Sequence, residues 1–265
     1  GVTRQTLRRN IDHLETLRGE RLFELEQGRY RLSEFGASCL ADAREILTWC
    51  DSWDDTNRFA IRRVDGFEHA RYHGDGGEVF YTQQHSVGSI AGRGSDLLRQ
   101  ALTAWGVSLA QIDHPAWDEL RPYRVVYRRT GTSWIFVEVG ARSAYTRWFG
   151  ADSARSAVGT LFHEDNVGDE FNDFISRAYS EVHAGGGLRL DHVWATLPWQ
   201  GTAESRPVGF QRLLAGCAFP DGSQALMMIA AITDDLEIDG LPPEALARIP
   251  PADFMGGDGS KEGSG

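Results

Sequence analysis

Residues 224–233 read Gln224-Ala225-Leu226-Met227-Met228-Ile229-Ala230-Ala231-Ile232-Thr233. Neither side of this stretch is polar: Leu226, Met228 and Ala230 alternate with Met227, Ile229 and Ala231. Successive side chains of a β-strand point to opposite faces, so a strand that is apolar on both must be buried on both. The stretch is expected at the centre of an antiparallel sheet with cover on either side. Working backwards, Pro220-Asp221-Gly222-Ser223 is a turn signature and joins it to a strand over 208–219. A further strand, 188–197, follows Gly185-Gly186-Gly187. Those glycines end an amphipathic helix carrying Phe171, Phe174, Ile175, Ala178 and Val182 at i, i+3, i+4, i+7 and i+11. Earlier still, β-rich runs at 123–129 and 134–139 are joined by Thr130-Gly131-Thr132-Ser133, and short helical pieces span 143–149 and 153–158. Two strands, helices and then three strands describe an α+β domain.

Towards the N-terminus, Gly74-Asp75-Gly76-Gly77 and the glycine-rich stretch 88–94 flank a short apolar strand at 78–82. Ser95 then caps a helix bearing Leu97, Leu98, Ala101, Leu102 and Trp105 and ending at Gly106. Residues 65–118 are accordingly expected to form a connecting module. Between 37 and 64 no glycine or proline interrupts, and Leu40, Ala43, Leu47 and Cys50 recur at helical spacing. That stripe calls for a linker helix with a partner, and a second copy of the same helix is the economical one. In residues 1–32, Leu7, Ile11, Leu14 and Leu17 lie at helical spacing behind Thr3, a residue able to cap the helix. The opposite face carries Arg4, Gln5, Thr6, Arg8, Arg9 and His13. After Gly19, runs at 22–25 and 29–32 flank Glu26-Gln27-Gly28, a hairpin signal with Arg29 and Arg31 beside its tip. A helix followed by a basic-tipped hairpin is the outline of a winged helix.

Composition narrows the function classes. The 265 residues are 41 % hydrophobic and 25 % charged, an ordinary globular mixture. No run approaches the length of a membrane span and no signal-peptide pattern opens the chain, so a cytoplasmic protein without membrane contact is expected. The three cysteines, Cys39, Cys50 and Cys217, have no paired spacing, which gives neither a disulfide nor a thiolate metal site. The net charge of −11 argues against nucleic acid when taken whole. It is segregated, however: residues 1–32 hold seven arginines against five carboxylates, a surplus of two positive charges, and the rest of the chain is strongly acidic.

The series Val2-Thr3-Arg4-Gln5-Thr6-Leu7-Arg8-Arg9-Asn10-Ile11-Asp12-His13-Leu14-Glu15, then Gly19, Arg21-Leu22-Phe23-Glu24, Arg31-Leu32-Ser33-Glu34 and Gly36, resembles the DNA-binding domain of LysR-type transcriptional regulators. The resemblance covers about residues 1–47. It implies an incomplete winged helix-turn-helix at 1–36, whose first two helices precede Gly1, and a dimerising linker helix at 37–64. Arg4, Gln5, Arg8, Arg18 and Leu25 depart from the family pattern, mostly on the DNA-facing side, so no operator sequence is inherited. Downstream, 134–139, Ala144-Tyr145-Thr146-Arg147-Trp148-Phe149-Gly150, Ala157-Val158-Gly159, His163-Glu164-Asp165-Asn166 and the closing three strands resemble a PAS sensor domain. That likeness implies a five-stranded antiparallel sheet with helices on one face at 119–235. A tail at 236–265 follows, disordered from about residue 256.

On this reading Thr3, Arg4, Gln5, Thr6, Arg8, Arg9, Arg29 and Arg31 are the expected contacts to double-stranded DNA: arginine to guanine edges or phosphates, Gln5 to adenine. Trp148, Phe149, Phe162, Phe174, His192 and Trp194 are the candidate lining of a pocket for a small-molecule effector. His192 shares a strand face with Leu188, Leu190 and Trp194, and a hydrogen-bonded core histidine is its plainer role. His69 and His73 would suit a metal only on a helix, and no metal site or cofactor is indicated. No Ser-His-Asp or paired-carboxylate constellation can be assembled, so an enzyme is not expected. The expectation is a homodimeric transcription regulator that senses a small molecule, redox change or partner. Its alternative is a PAS-like interaction or dimerisation module without a ligand.

Overall fold

A computed structural model of the chain describes residues 3–26, 29–40, 43, 59–74, 76–131, 133–164, 168–199 and 204–255. Two compact units divide it, 1–56 and 57–265.

The larger unit is built on one antiparallel sheet of eight strands. These are β3 (Phe59–Val64), β4 (Phe67–His73), β5 (Val79–His85), β6 (Arg124–Thr130), β7 (Ser133–Val139), β8 (Leu188–Pro198), β9 (Ser205–Ala218) and β10 (Gln224–Ile232). Their order across the sheet is β3-β4-β5-β8-β9-β10-β6-β7. The doubly apolar strand β10 lies between β9 and β6, with Leu226 opposite Gly216 on one side and Tyr127 on the other. Its alternation divides the interior in two. Leu226 and Ile232 belong to a cluster under the helices Ala144–Phe149, Ala151–Ala157, Asp169–Ser176 and Tyr179–Gly185. Ala225, Met227 and Ile229 face the other way, into a cluster with Ile90, Leu98 and Ala101 around the helix Asp96–Val107.

The sheet differs from the expected five strands with helices on one face. It has eight strands and is covered on both. Residues 65–118 are no separate connecting module: β4 and β5 extend the sheet through pairing of Phe80–His85 with Leu190–Ala195, and Asp96–Val107 covers the second face. Residues 59–64 of the expected linker helix are strand β3, while Glu34–Ser38 is helical and residues 44–58 of that linker lie outside the described residues. Charged residues of β3 and β4 such as Arg62, His69 and Arg71 hide the alternation by which Phe59 and Ile61 of β3 and Ala70 and Tyr72 of β4 pack into the cluster under the helices. Residues 236–255, expected as a tail, pack instead as a strap, burying Leu236, Ala245 and Ile249 against Tyr81 and Trp194; the stretch from 256 lies outside the described residues.

One expected helix is two. The amphipathic stretch through Phe171 and Val182 breaks after Ser176 and resumes at Tyr179. At the break Arg212 Nη1 donates to the Ile175 carbonyl at 2.8 Å, taking the acceptor that a continuing helix would use for the Tyr179 N–H. The second helix then crosses β9 at Gly216, where an added Cβ would come within 2.6 Å of Gly186 Cα and 2.7 Å of the Val182 carbonyl.

The smaller unit begins with α1 (Arg4–Arg18), whose Thr3 cap accepts from the Thr6 N–H and which ends on Gly19 at φ 74°. A hairpin of β1 (Phe23–Glu26) and β2 (Arg29–Leu32) follows, with Glu24 opposite Arg31. Glu15 Oε1 accepts from the Leu22 and Phe23 N–H groups at 2.7 and 3.1 Å, which fixes the start of the hairpin against α1. Gly36 sits where a Cβ would lie 2.0 Å from the Leu22 carbonyl oxygen.

Crowding at the helix–sheet crossing makes Gly216→Ala a sharp test of the packing. The expected loss is about 1–3 kcal/mol of stability, read as a lower denaturation midpoint with an unchanged m-value.

Candidate functional site

On α1 the polar face is open: Gln5, Arg8 and Arg9 are exposed and Thr6 is half-buried. Thr3 caps the helix, its hydroxyl 2.9 Å from that of Thr6. The side chains of Arg4 and Arg29 lie outside the described part of the structure. Arg8 reaches across to the hairpin, where Nη2 donates to the Tyr30 hydroxyl and the guanidinium lies 5.8 Å from the ring centre. The sequence reading missed Tyr30, although a tyrosine between Arg29 and Arg31 at the hairpin tip was a visible signal. Helix face and hairpin thus form one exposed cationic surface. The apolar stripe of α1 is open too, with Leu7, Leu14 and Leu17 largely exposed among the described residues.

The larger unit contains a cavity of about 70 Å³ between the sheet and the helices of its first face. Of the six candidate pocket residues, Trp148, Phe149 and Phe162 line it. Phe174 is buried beside Phe59 and Phe80, at ring-centre distances of 6.0 and 5.7 Å, and is not on the wall. His192 and Trp194 are on the opposite face of the sheet: along β8, Val193, Ala195 and Leu197 turn towards the helices, so the residues between them turn away. The wall instead includes Tyr127, Tyr145, Phe171, Tyr179 and Met228. Tyr127 packs within 5.7 Å, ring centre to ring centre, of Phe136, Phe162 and Tyr179. Trp148 Nε1 donates to the Pro198 carbonyl at 2.9 Å and Asn172 Nδ2 to the Phe162 carbonyl at 3.2 Å, so two polar groups of the region are committed to backbone. Among the described residues the wall carries no charged side chain.

Beside the cavity runs a buried ionic chain. Asp191 is fully buried; one carboxylate oxygen accepts from Arg212 Nη2 at 2.6 Å and the other from Arg189 Nε at 2.8 Å. Arg189 Nη2 continues to Glu68 at 3.0 Å. Burial alone would raise the Asp191 pKa, but the two guanidiniums outweigh it and hold the carboxyl below the ordinary carboxylate range. Arg212 also lies 5.8 Å from the centre of the Tyr179 ring and holds the Ile175 carbonyl, and both residues are on the cavity wall. The chain therefore fixes the position of that wall.

Other candidate chemistry is absent from these places. His69 and His73 sit on β4, a strand and not the helix their spacing would need. His163 is in a single turn, 3.7 Å from Asp173, and Asp165 lies outside the described residues. No group of three or more His, Cys, Asp or Glu among the described residues is arranged to hold a metal ion. Burial pushes the Cys217 thiol up to about 12, far from a reactive thiolate. Among the described residues no helix is long and apolar enough to cross a membrane. No protein-family model, curated protein or solved structure matches the chain.

Asp191→Asn would leave the buried Arg212 guanidinium without its counter-charge and Arg189 without its buried partner, with Glu68 still beside it, and a loss of about 3–5 kcal/mol is expected. The wild-type contribution has the sign of a depressed carboxyl pKa: it is complete above the ordinary value and is lost as pH falls through it. Chemical denaturation of the two proteins at neutral and acid pH checks both statements.

Proposed function

We propose that this chain is a DNA-binding transcription regulator in which a winged-helix head reads double-stranded DNA and a PAS-like domain responds to a small uncharged effector. The observation that carries the first half is the bond from Arg8 to Tyr30. It joins the cationic face of α1 and the tip of the hairpin into one surface, on a segment whose charge is opposite to that of the rest of the chain. A helix of that kind enters a major groove while the hairpin lies along phosphates.

The second half rests on the cavity. A PAS-like domain with a solid core would suit the alternative role of an interaction module, and the space of about 70 Å³ favours sensing over that reading. The strands of the PAS-like segment are contiguous in the sheet, β8-β9-β10-β6-β7, with its helices on one face. A wall of aromatic rings without a charged side chain suits an apolar or aromatic molecule. The volume is about half the ~150 Å³ of an engineered cavity that accepts benzene, so it admits an effector smaller than a single ring as it stands, and one of single-ring size where Met228 and Phe149 yield to it. Occupancy would act by population shift, favouring one arrangement of two heads in a homodimer.

Two measurements test this. Selection from a randomised duplex pool is expected to enrich an interrupted palindrome with half-sites about 34 Å apart or a multiple of it. Arg8→Ala is expected to relax discrimination at one position by roughly 10- to 100-fold. Failure to enrich any sequence contradicts DNA reading. For the sensor, xenon or small uncharged aromatics such as phenol are expected to raise the denaturation midpoint with concentration, and Ala230→Leu, which fills the wall, to remove the response. No response to any of them favours the interaction module.

A further inference from the structure

The strap that leaves β10 crosses the second face of the sheet, and its attachments step across five strands in order. The Asp235 carbonyl accepts from Gln211 Nε2 on β9 at 2.9 Å. The Glu237 N–H donates to His192 Nδ1 on β8 at 2.9 Å, and the Glu237 carbonyl accepts from His85 Nε2 on β5 at 2.8 Å. The Asp239 carbonyl accepts from His69 Nε2 on β4 at 2.9 Å, and its carboxylate pairs with Arg62 on β3. Arg93 pairs with the Glu237 carboxylate. Between these ties Leu236 is buried and Ile238 is half-buried, whereas Asp235, Glu237 and Asp239 are exposed. This part of the strap is held by polar bonds more than by apolar burial, and three of the bonds end on imidazoles.

From this geometry we propose that residues 235–239 are an acid-released latch, closed while the Nδ1 acceptor of His192 is unprotonated and opened when that atom takes up a proton. The bond at His192 sets the sense. Its Nδ1 accepts from an N–H, and a protonated Nδ1 has no lone pair to offer, so closure and protonation exclude one another. His85 faces it with ring centres 4.0 Å apart and disfavours a positive charge on His192. The other charges facing the pair are Arg93 and Glu237, which neutralise each other, and Asp191 behind β8, already committed to two arginines. His69 faces Arg62, Arg71 and Asp239, and Tyr81 packs on its ring. Burial, with His85 next, lowers the His192 pKa to about 3, and burial lowers that of His69.

The latch bears on the cavity through the far end of the same strap. Arg147, in the helix Ala144–Phe149 that carries Trp148 and Phe149, donates to the Ala252 and Asp253 carbonyls at 2.5 and 2.9 Å. Phe254 packs on both the strap cluster and the cavity-side cluster, and the Met255 N–H returns to the Ile232 carbonyl at 2.8 Å. Release at 235–239 thus frees one end of a segment whose other end braces the cavity wall.

Folded-state pKa values below the ordinary 6.5 mean that the closed form has its full advantage above that pH and loses it as pH falls below. A single imidazole of this kind multiplies the open population about 30-fold between pH 8 and pH 5. Hydrogen exchange of the whole chain, read by mass spectrometry and corrected for the intrinsic pH dependence of amide exchange, tests it. Peptides covering 234–241 are expected to lose protection by at least that factor at pH 5 while peptides of β10 keep theirs. In His192→Asn, Oδ1 takes the place of Nδ1 as acceptor and cannot titrate; the loss is expected to shrink by about the same factor. His85→Gln, which keeps a donor where Nε2 stands, is expected to reduce it too and serves if His192→Asn does not fold. Equal loss in the strap and in β10, or a response undiminished in the variants, overturns the latch.

Discussion

A strand with apolar side chains on both faces cannot be left with either in water, and the larger unit is organised by that constraint on β10. Leu226 and Ile232 need one layer and Met227 and Ile229 another, each large aliphatic side chain contributing about 1.5–3 kcal/mol on burial. Four helices supply the first layer, and Asp96–Val107 supplies the second. Where that helix stops, the sheet continues through β8, β5 and β4, and the strap covers what remains. The cavity, the buried ionic chain and the strap are all products of the same two-sided arrangement.

Polar groups inside this frame are tied off with few exceptions, and the ties choose among packings that apolar contacts alone would leave equivalent. Asp191 is the strongest case. Two arginines converge on it, one of them ends a helix by capturing the Ile175 carbonyl, and the resulting break turns Tyr179 onto the cavity. In the smaller unit Glu15 does similar work at the entry to the hairpin, which leaves Arg8 within reach of Tyr30.

Much of this was legible in the sequence where local chemistry decides it. The two hairpins, the Thr3 and Ser95 caps and the centrality of β10 follow from turn residues, side-chain acceptors and alternation. The strands β3 and β4 were not legible, because arginine and histidine occupy the positions that face the strap and mask the alternation. The helix break after Ser176 was invisible because its cause lies 36 residues further on, at Arg212. Periodicity put His192 and Trp194 together on one face of β8, yet it could not say which face the helices would take. Two of the six expected pocket residues therefore ended on the strap side and Phe174 packed beside Phe59 and Phe80, while tyrosines from β6 and two helices took their place on the wall. The expectation of cover on one face came from the PAS-like resemblance; the residues of β10 themselves already required two.

The reading of the whole chain as a regulator turns on whether its short basic head engages phosphate and base edges despite the acidic remainder of the sequence. A fluorescence-anisotropy titration of labelled duplex DNA across a series of salt concentrations puts that question most directly. Binding is expected with a log affinity that falls linearly with log salt, by about 0.9 for each phosphate neutralised. No binding at about 50 mM salt, or an affinity indifferent to salt, would contradict it.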